Sequence, residues 1–317
     1  MKTAIILPAY NEELVIERVI LEFYNQMPEA EIYVIDNNSK DKTNEIAKKV
    51  MMENNVNGKV LFVKEQGKAN AVRYAFQNID SDIYVMVDAD LTYPAYHLPD
   101  MLAPIIAGEA DMVVGDRHAT GAYKKENKRG FHNFGNWLVK YLIKKLFRSN
   151  LNDIMSGYRA FSKRFVKLYP ILSGGFELET EMSIHALDKR YSIVEIPVDY
   201  KDRIEGSYSK LSTVKDGIKV LKTIFNIYQN YRPLSFFSLV GTLLLLLSLV
   251  CGFGPVMEYF TNVNHFVSKV PSAVLACGLM ILSILSFITA IILNAIRSHQ
   301  SFNYELQMNL FSLNGKK

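Results

Sequence analysis

Cysteine is nearly absent from this chain: 317 residues hold two, Cys251 and Cys277. Both lie inside long apolar runs, so a disulfide framework is not indicated. A strong excess of one charge is also missing. The net charge of +4 gives no reason to propose nucleic acid as a partner. No internal repeat and no low-complexity segment is present. Ala4-Ile5-Ile6-Leu7 is too short for the apolar core of a signal peptide, and none is expected. The most telling absence is charge in two segments, Leu234–Gly254 and Ala273–Ile296. Each is long enough to cross about 30 Å of hydrocarbon as a helix, and neither has the polar face of a helix at a protein surface.

These runs divide the chain. Residues 1–212 mix charged and apolar positions as a soluble α/β domain does. Residues 213–232 carry Val214, Ile218, Leu221, Phe225 and Tyr228 near one helical face, with Lys215, Lys219 and Lys222 beside it. This pattern predicts an amphipathic juxtamembrane helix at the lipid interface. Residues 233–297 hold the two spans, and 298–317 form a tail. Arg232, Arg297, Lys316 and Lys317 flank the outer ends, while the intervening loop has one acid, Glu258, and one base, Lys269. The positive-inside tendency places both termini and the N-terminal domain in the cytoplasm of an inner or plasma membrane. Small residues such as Gly241, Ala276 and Gly278 would permit close packing of spans in a homo-oligomer.

Within the first domain, periodicity predicts strands at 3–8, 31–36, 59–63, 82–87 and 111–115. Helices at 12–26, 41–54, 68–78 and 97–107 alternate with them. That is the pattern of a doubly wound, mostly parallel sheet. Asn11 and Ser39 read as helix starts. Beyond residue 116 the regularity weakens: 117–130 reads as an exposed loop, 134–147 as a helix and 193–199 as a strand.

Asp88-Ala89-Asp90 closes the apolar run 82–87, so both carboxylates emerge at the C-terminal edge of the sheet, where open α/β sheets bind ligands. Two carboxylates one residue apart suit a hard divalent cation that also binds diphosphate oxygens. Pro8-Ala9-Tyr10-Asn11-Glu12 follows the first strand, and Asp36-Asn37-Asn38-Ser39-Lys40-Asp41 follows the second. Both clusters share that edge. Asp36 could accept hydrogen bonds from a base or ribose, and Tyr10 could pack on a nucleobase face.

In order and spacing, these clusters resemble family-2 glycosyltransferases. Three downstream segments extend the resemblance: Asp153-Ile154-Met155-Ser156-Gly157-Tyr158-Arg159, Phe176-Glu177-Leu178-Glu179-Thr180-Glu181 and Arg203-Ile204-Glu205-Gly206-Ser207-Tyr208-Ser209-Lys210. The set is similar to the dolichyl-phosphate mannose synthase and polyprenyl-phosphate glycosyltransferase branch. It implies a GT-A fold, a nucleotide-sugar donor (a UDP-sugar favoured over a GDP-sugar), Mg²⁺ or Mn²⁺, and a polyprenyl phosphate acceptor in the membrane. Carried over by residue, it implies that Pro8, Tyr10, Glu12 and Asp36 line the nucleoside pocket. Asp88 and Asp90 would hold the diphosphate through the metal, with Asp90 the more direct ligand. Asp153 and Arg159 would stand near the sugar and phosphates. Arg117 and Arg129 would meet the acceptor phosphate, with Arg203 and Lys210 closing over the charged groups.

The chain departs from the branch in places. Thr92 stands where a metal-binding Gln is frequent, the 206–210 segment is one residue longer than the short form of its motif, and the Arg129 position could fall instead on His132 or Asn133. The implied reaction is a single in-line displacement with inversion. Two alternatives remain: a glycolipid or polysaccharide acceptor, and a silent scaffold that binds nucleotide-sugars. A processive synthase would carry Gln-x-x-Arg-Trp, yet the one tryptophan, Trp137, lies in Asn136-Trp137-Leu138.

Overall fold

The computed structural model describes residues 1–119, 140–141, 143–171, 178–201, 225–226 and 228–314. It divides into two compact units, Met1–Asp216 and Gly217–Lys317.

The first unit is built on a seven-stranded sheet in the order β3-β2-β1-β4-β6-β5-β7. Its strands are β1 (Thr3–Ala9), β2 (Glu31–Asp36), β3 (Gly58–Phe62), β4 (Ile83–Met86), β5 (Met112–Asp116), β6 (Arg159–Ser162) and β7 (Ile193–Pro197). Helices α1 (Ile16–Gln26), α2 (Thr43–Glu53), α3 (Lys68–Asn78) and α4 (Leu98–Ile106) connect the first five strands, α4 being preceded by a short 3₁₀ turn at Ala95–His97. Helices α5 (Lys163–Leu168) and α6 (Leu178–Asp188) lie between β6 and β7. The expected alternation is therefore present. Helix α1 presents an apolar stripe to the core, with Ile16, Val19, Ile20 and Phe23 buried at helical spacing. All four residues of β4 are buried, as befits a central strand covered on both faces.

Strand β6 is the element absent from the sequence reading. It runs antiparallel between β4 and β5, with Met86 opposite Arg159 and Val114 also opposite Arg159. The chain order reverses at β1, whose neighbours are β2 and β4. A crevice opens beyond the carboxyl ends of the strands at such a point. Asp36, Asp88 and Arg117 all follow or close strands at that edge.

The second unit is an antiparallel hairpin of α7 (Pro233–Thr261) and α8 (Val270–Asn314). Both helices are long and apolar enough to cross a membrane. Serine hydroxyls knit them together: Ser248 donates to the Ala276 carbonyl, Ser283 to Gly241 and Ser286 to Phe237, each at 2.8 Å. Where Gly241 lacks a side chain, the Phe287 ring approaches, and a Cβ there would lie 3.0 Å from it. Gly241 and Ala276 thus pack within the hairpin, whereas Gly278 faces open space. At 1.5 Å per residue, 45-residue α8 is about 68 Å long, twice a hydrocarbon core. The segment expected as a tail continues the helix to Asn314. Most of the expected 213–232 helix lies outside the described residues, but Phe225 and Tyr228 pack edge-on against Phe236 of α7.

Candidate active site

The loops after β1 and β2 are laced together by polar side chains. Backbone amides of Asn11, Glu12 and Glu13 donate to Ser39 Oγ (3.1 Å), Thr43 Oγ1 (2.8 Å) and Asp41 Oδ2 (3.1 Å). In return, Asn11 Oδ1 accepts from the Lys40 amide and Glu13 Oε2 from that of Lys42. The expected helix starts give way here. Helices α1 and α2 begin later, at Ile16 and Thr43, without side-chain caps. Their cap-type residues bridge loop to loop instead. Asn11 and Asn38 take positive φ values of 56° and 60°, which asparagine tolerates better than most residues.

Asp36 ends β2 beside Ala9 and is buried, accepting from the Ser39 amide at 3.1 Å and from Asn44 Nδ2 at 2.9 Å. Half-buried Pro8 lies near the end of β1, and half-buried Tyr10 and Glu12 lie on the loop that follows it. These four residues share one end of the sheet.

Beyond β4, Asp88 and Asp90 sit in different environments. Asp90 is buried, and Thr92 donates both its hydroxyl (2.6 Å) and its amide (3.2 Å) to Asp90 Oδ1. Thr92 therefore orients the Asp90 carboxylate. Between them Leu91 holds φ at 60°, an uncommon conformation for a bulky residue that costs on the order of 1–3 kcal/mol. Such strain is kept where the surroundings fix it, and it accumulates at functional sites.

Asp88 is half-buried and pairs through Oδ1 with the ammonium of Lys68, the first residue of α3. The same ammonium bonds Glu179 in the first turn of α6. Burial works against the charged lysine, but Asp88 and Glu179 outweigh it and raise its pKa. On its other side Asp88 rests against the backbone of Gly157, where a Cβ would lie 2.2 Å from Oδ2. The Gly157 amide donates to the Tyr93 hydroxyl at 3.0 Å. Tyr93 lies within electrostatic reach of Arg117, Asp88 and Asp153, so it joins both halves of the site.

The second half is an arginine–carboxylate pair. Arg117, just past β5, donates from Nε to Asp153 Oδ2 at 2.7 Å and from Nη2 to Oδ1 at 2.9 Å. Its guanidinium also lies 5.4 Å from the Tyr200 ring centroid, within cation–π range. Asp153 is almost fully buried, which would raise its pKa, but the bonds and charge of Arg117 hold it below the usual carboxylate value. Glu195 of β7 fixes the loop below by accepting from the amides of Asn152 (2.7 Å) and Asp153 (2.8 Å).

Arg159, which the sequence resemblance sets near the sugar and phosphates, lies beneath the site, within electrostatic reach of Asp153 and Glu179. It is completely buried in β6, donating to the carbonyls of Ser156 (2.9 Å) and Ile154 (2.6 Å). Its guanidinium braces the loop that carries Asp153 and Gly157 from beneath. Arg129, Arg203 and Lys210 lie outside the described residues. Lys68, Glu179, Tyr93 and Gly157 were not singled out individually as site residues. The available signals were Gly67-Lys68 opening a helix at the ligand edge and Glu179 inside a recognised segment.

Among the described residues, no group of three or more His, Cys, Asp or Glu is placed to hold a metal. Two carboxylates at a half-open edge still fit Mg²⁺ or Mn²⁺, which take oxygen ligands and keep water or substrate phosphate in their remaining positions.

The description "Glycosyl transferase family 2" matches residues 4–169. Glycosyltransferase AglJ of Haloferax volcanii is 31% identical over 241 residues, covering 75% of each chain. Dolichol-phosphate mannosyltransferase of Pyrococcus furiosus is 31% identical over 217 residues, 67% of this chain and 59% of that one. Among solved structures, glucosyl-3-phosphoglycerate synthase of Mycobacterium tuberculosis in complex with Mn²⁺, UDP and its product superposes with a TM-score of 0.55. Its identity is 20%, over 73% of this chain and 79% of that one. At that identity the likeness concerns the fold, which is GT-A.

Proposed function

Since the chain belongs to glycosyl transferase family 2, we propose that it is a membrane-bound inverting enzyme that moves a sugar from a nucleotide-sugar to a polyprenyl phosphate at the cytoplasmic face. The observation that carries this reading is the commitment of Asp153 to Arg117. A sugar hydroxyl acceptor needs a general base, and a carboxylate held bidentately with a lowered pKa serves poorly as one. A phosphomonoester is largely dianionic at neutral pH and nucleophilic without one.

Positioning and charge stabilisation then supply the catalysis. Pro8, Tyr10, Glu12 and Asp36 hold the nucleoside at the β1–β2 end. Asp88 and Asp90 would hold Mg²⁺ or Mn²⁺, which when bound stabilises charge on the departing diphosphate. Arg117 attracts the acceptor phosphate while Asp153 fixes the plane of its guanidinium. Arg129, Arg203 and Lys210 supply further positive charge by family resemblance. Attack from the side opposite the leaving diphosphate inverts the anomeric centre.

The two apolar helices support a lipid acceptor, and Arg232 and Arg297 at their ends favour a cytoplasmic catalytic domain. The name of the Pyrococcus relative supports the same acceptor class.

The test is a donor screen with purified protein, Mg²⁺ or Mn²⁺ and undecaprenyl phosphate, beginning with UDP-sugars, with the lipid product read by mass spectrometry. Product from one donor, lost on chelation and in Asp90→Ala, supports the proposal. Turnover only with a glycolipid or glycan acceptor, or binding without turnover under every combination, refutes it.

A further inference from the structure

We infer that Lys68 and Glu179 act together as an internal charge regulator of the cation site formed by Asp88 and Asp90. This rests on the metal-dependent reading above and assigns those two residues a role in it. The geometry is specific. One ammonium bridges carboxylates that are 20 and 111 residues away in sequence. The Lys68 and Glu179 side chains are 13% and 8% exposed, whereas Asp88 retains 29%. The lysine and its second partner are thus more deeply buried than Asp88, whose carboxylate keeps the greater exposure.

The charges explain why both residues are needed. Asp88, Asp90 and Glu179 carry three negative charges and Lys68 one positive, giving a net −2 that matches a divalent ion. Without Glu179, the lysine would neutralise Asp88 more fully and the cluster would fall to −1. Without Lys68, it would reach −3. Removing both restores −2. A purely architectural pair behaves differently, because breaking a buried ion pair from either side damages the site in the same direction. The sign of each single substitution thus separates the two roles.

The experiment uses the full-length protein in detergent and Mn²⁺ alone as the probe. Bound metal is read as loss of the free-ion electron paramagnetic resonance signal, and thermal melts check folding. A unit charge beside a divalent ion in a partly exposed site shifts affinity by about tenfold or more. Glu179→Gln is expected to weaken Mn²⁺ binding by about that factor and Lys68→Gln to strengthen it by a similar one. The double variant returns close to the unaltered protein, and Lys68→Arg, which keeps the charge, changes affinity little. If Lys68→Gln does not fold, recovery of the Glu179→Gln defect in the double variant carries the same sign. Weakening by both single substitutions, with no recovery in the double, overturns the inference while leaving the metal reading intact. Absence of Mn²⁺ binding by the unaltered protein and by Lys68→Gln overturns both.

Discussion

Gly157→Ala is the smallest change that tests how the site is assembled. A Cβ at this position would lie 2.2 Å from Asp88 Oδ2 and 2.8 Å from its Cγ. An ordinary carbon–oxygen contact is at least roughly 3.3 Å, so the carboxylate must retreat by about 1 Å. The retreat is obstructed because Oδ1 is already paired with Lys68, itself held by Glu179. Overpacking of this kind costs about 1–3 kcal/mol in stability, which lowers the melting temperature without abolishing the fold. Activity should suffer more. Misplacing a positioning group by about 1 Å costs on the order of 10²-fold. The assay is kcat/KM for nucleotide-sugar and polyprenyl phosphate, with Mn²⁺ varied, alongside a thermal melt. A folded variant should lose about two orders of magnitude and require more Mn²⁺. Turnover within twofold of the unaltered enzyme would show that Asp88 need not occupy this position.

Asp153→Asn should leave the pH–rate profile unchanged between about pH 6 and 9, since on the proposed mechanism a carboxylate held ionised by Arg117 supplies no titrating base there; loss of an acidic limb in the variant would contradict that. Because burial opposes but Arg117 lowers the Asp153 pKa, its stabilising contribution is full above the ordinary value of 3.8 and lost as pH falls through the lower folded value. Acid denaturation curves below about pH 4 should therefore be flatter in the variant. Arg159→Met should leave the Ser156 carbonyl without its donor, costing about 1–3 kcal/mol, while the Ile154 carbonyl keeps the Ser183 hydroxyl at 3.1 Å. A variant with unchanged melting but no turnover would place that guanidinium against substrate instead. Gly241→Leu should destabilise the helix hairpin by pushing on Phe287, while Gly278→Leu, which meets nothing within 4 Å, should not; equal melting shifts would refute the hairpin register.

Much of the sheet was legible because its strands and helices keep separate periodicities. Strand β6 was not. It has four residues, begins with a buried arginine and offers no alternation to read. Its place between β4 and β5 is settled by pairing with both neighbours. The end of α8 was not legible for another reason. Hydropathy marks where a helix leaves hydrocarbon, not where it ends, and no glycine or proline interrupts residues 298–314. Helix-cap chemistry around Asn11 and Ser39 failed similarly, because a neighbouring loop offered those side chains nearer partners.

The least legible part of the site is the environment of its charges. Lys68 at a helix start reads as an ordinary solvated lysine until Asp88 and Glu179 converge on it from distant parts of the chain. Arg117 and Arg159 show the same dependence. Both are arginines near Asp153, and both could be read as phosphate ligands. One follows a strand at the sheet edge and faces a carboxylate and an aromatic ring. The other lies within a central strand, where two backbone carbonyls claim its donors. A buried guanidinium in that position cannot reach a substrate without abandoning those carbonyls, so what it supports directly is the loop that carries Asp153 and Gly157. Residue type therefore nominates both groups for phosphate chemistry, and only the partners that folding assigns tell the two arginines apart.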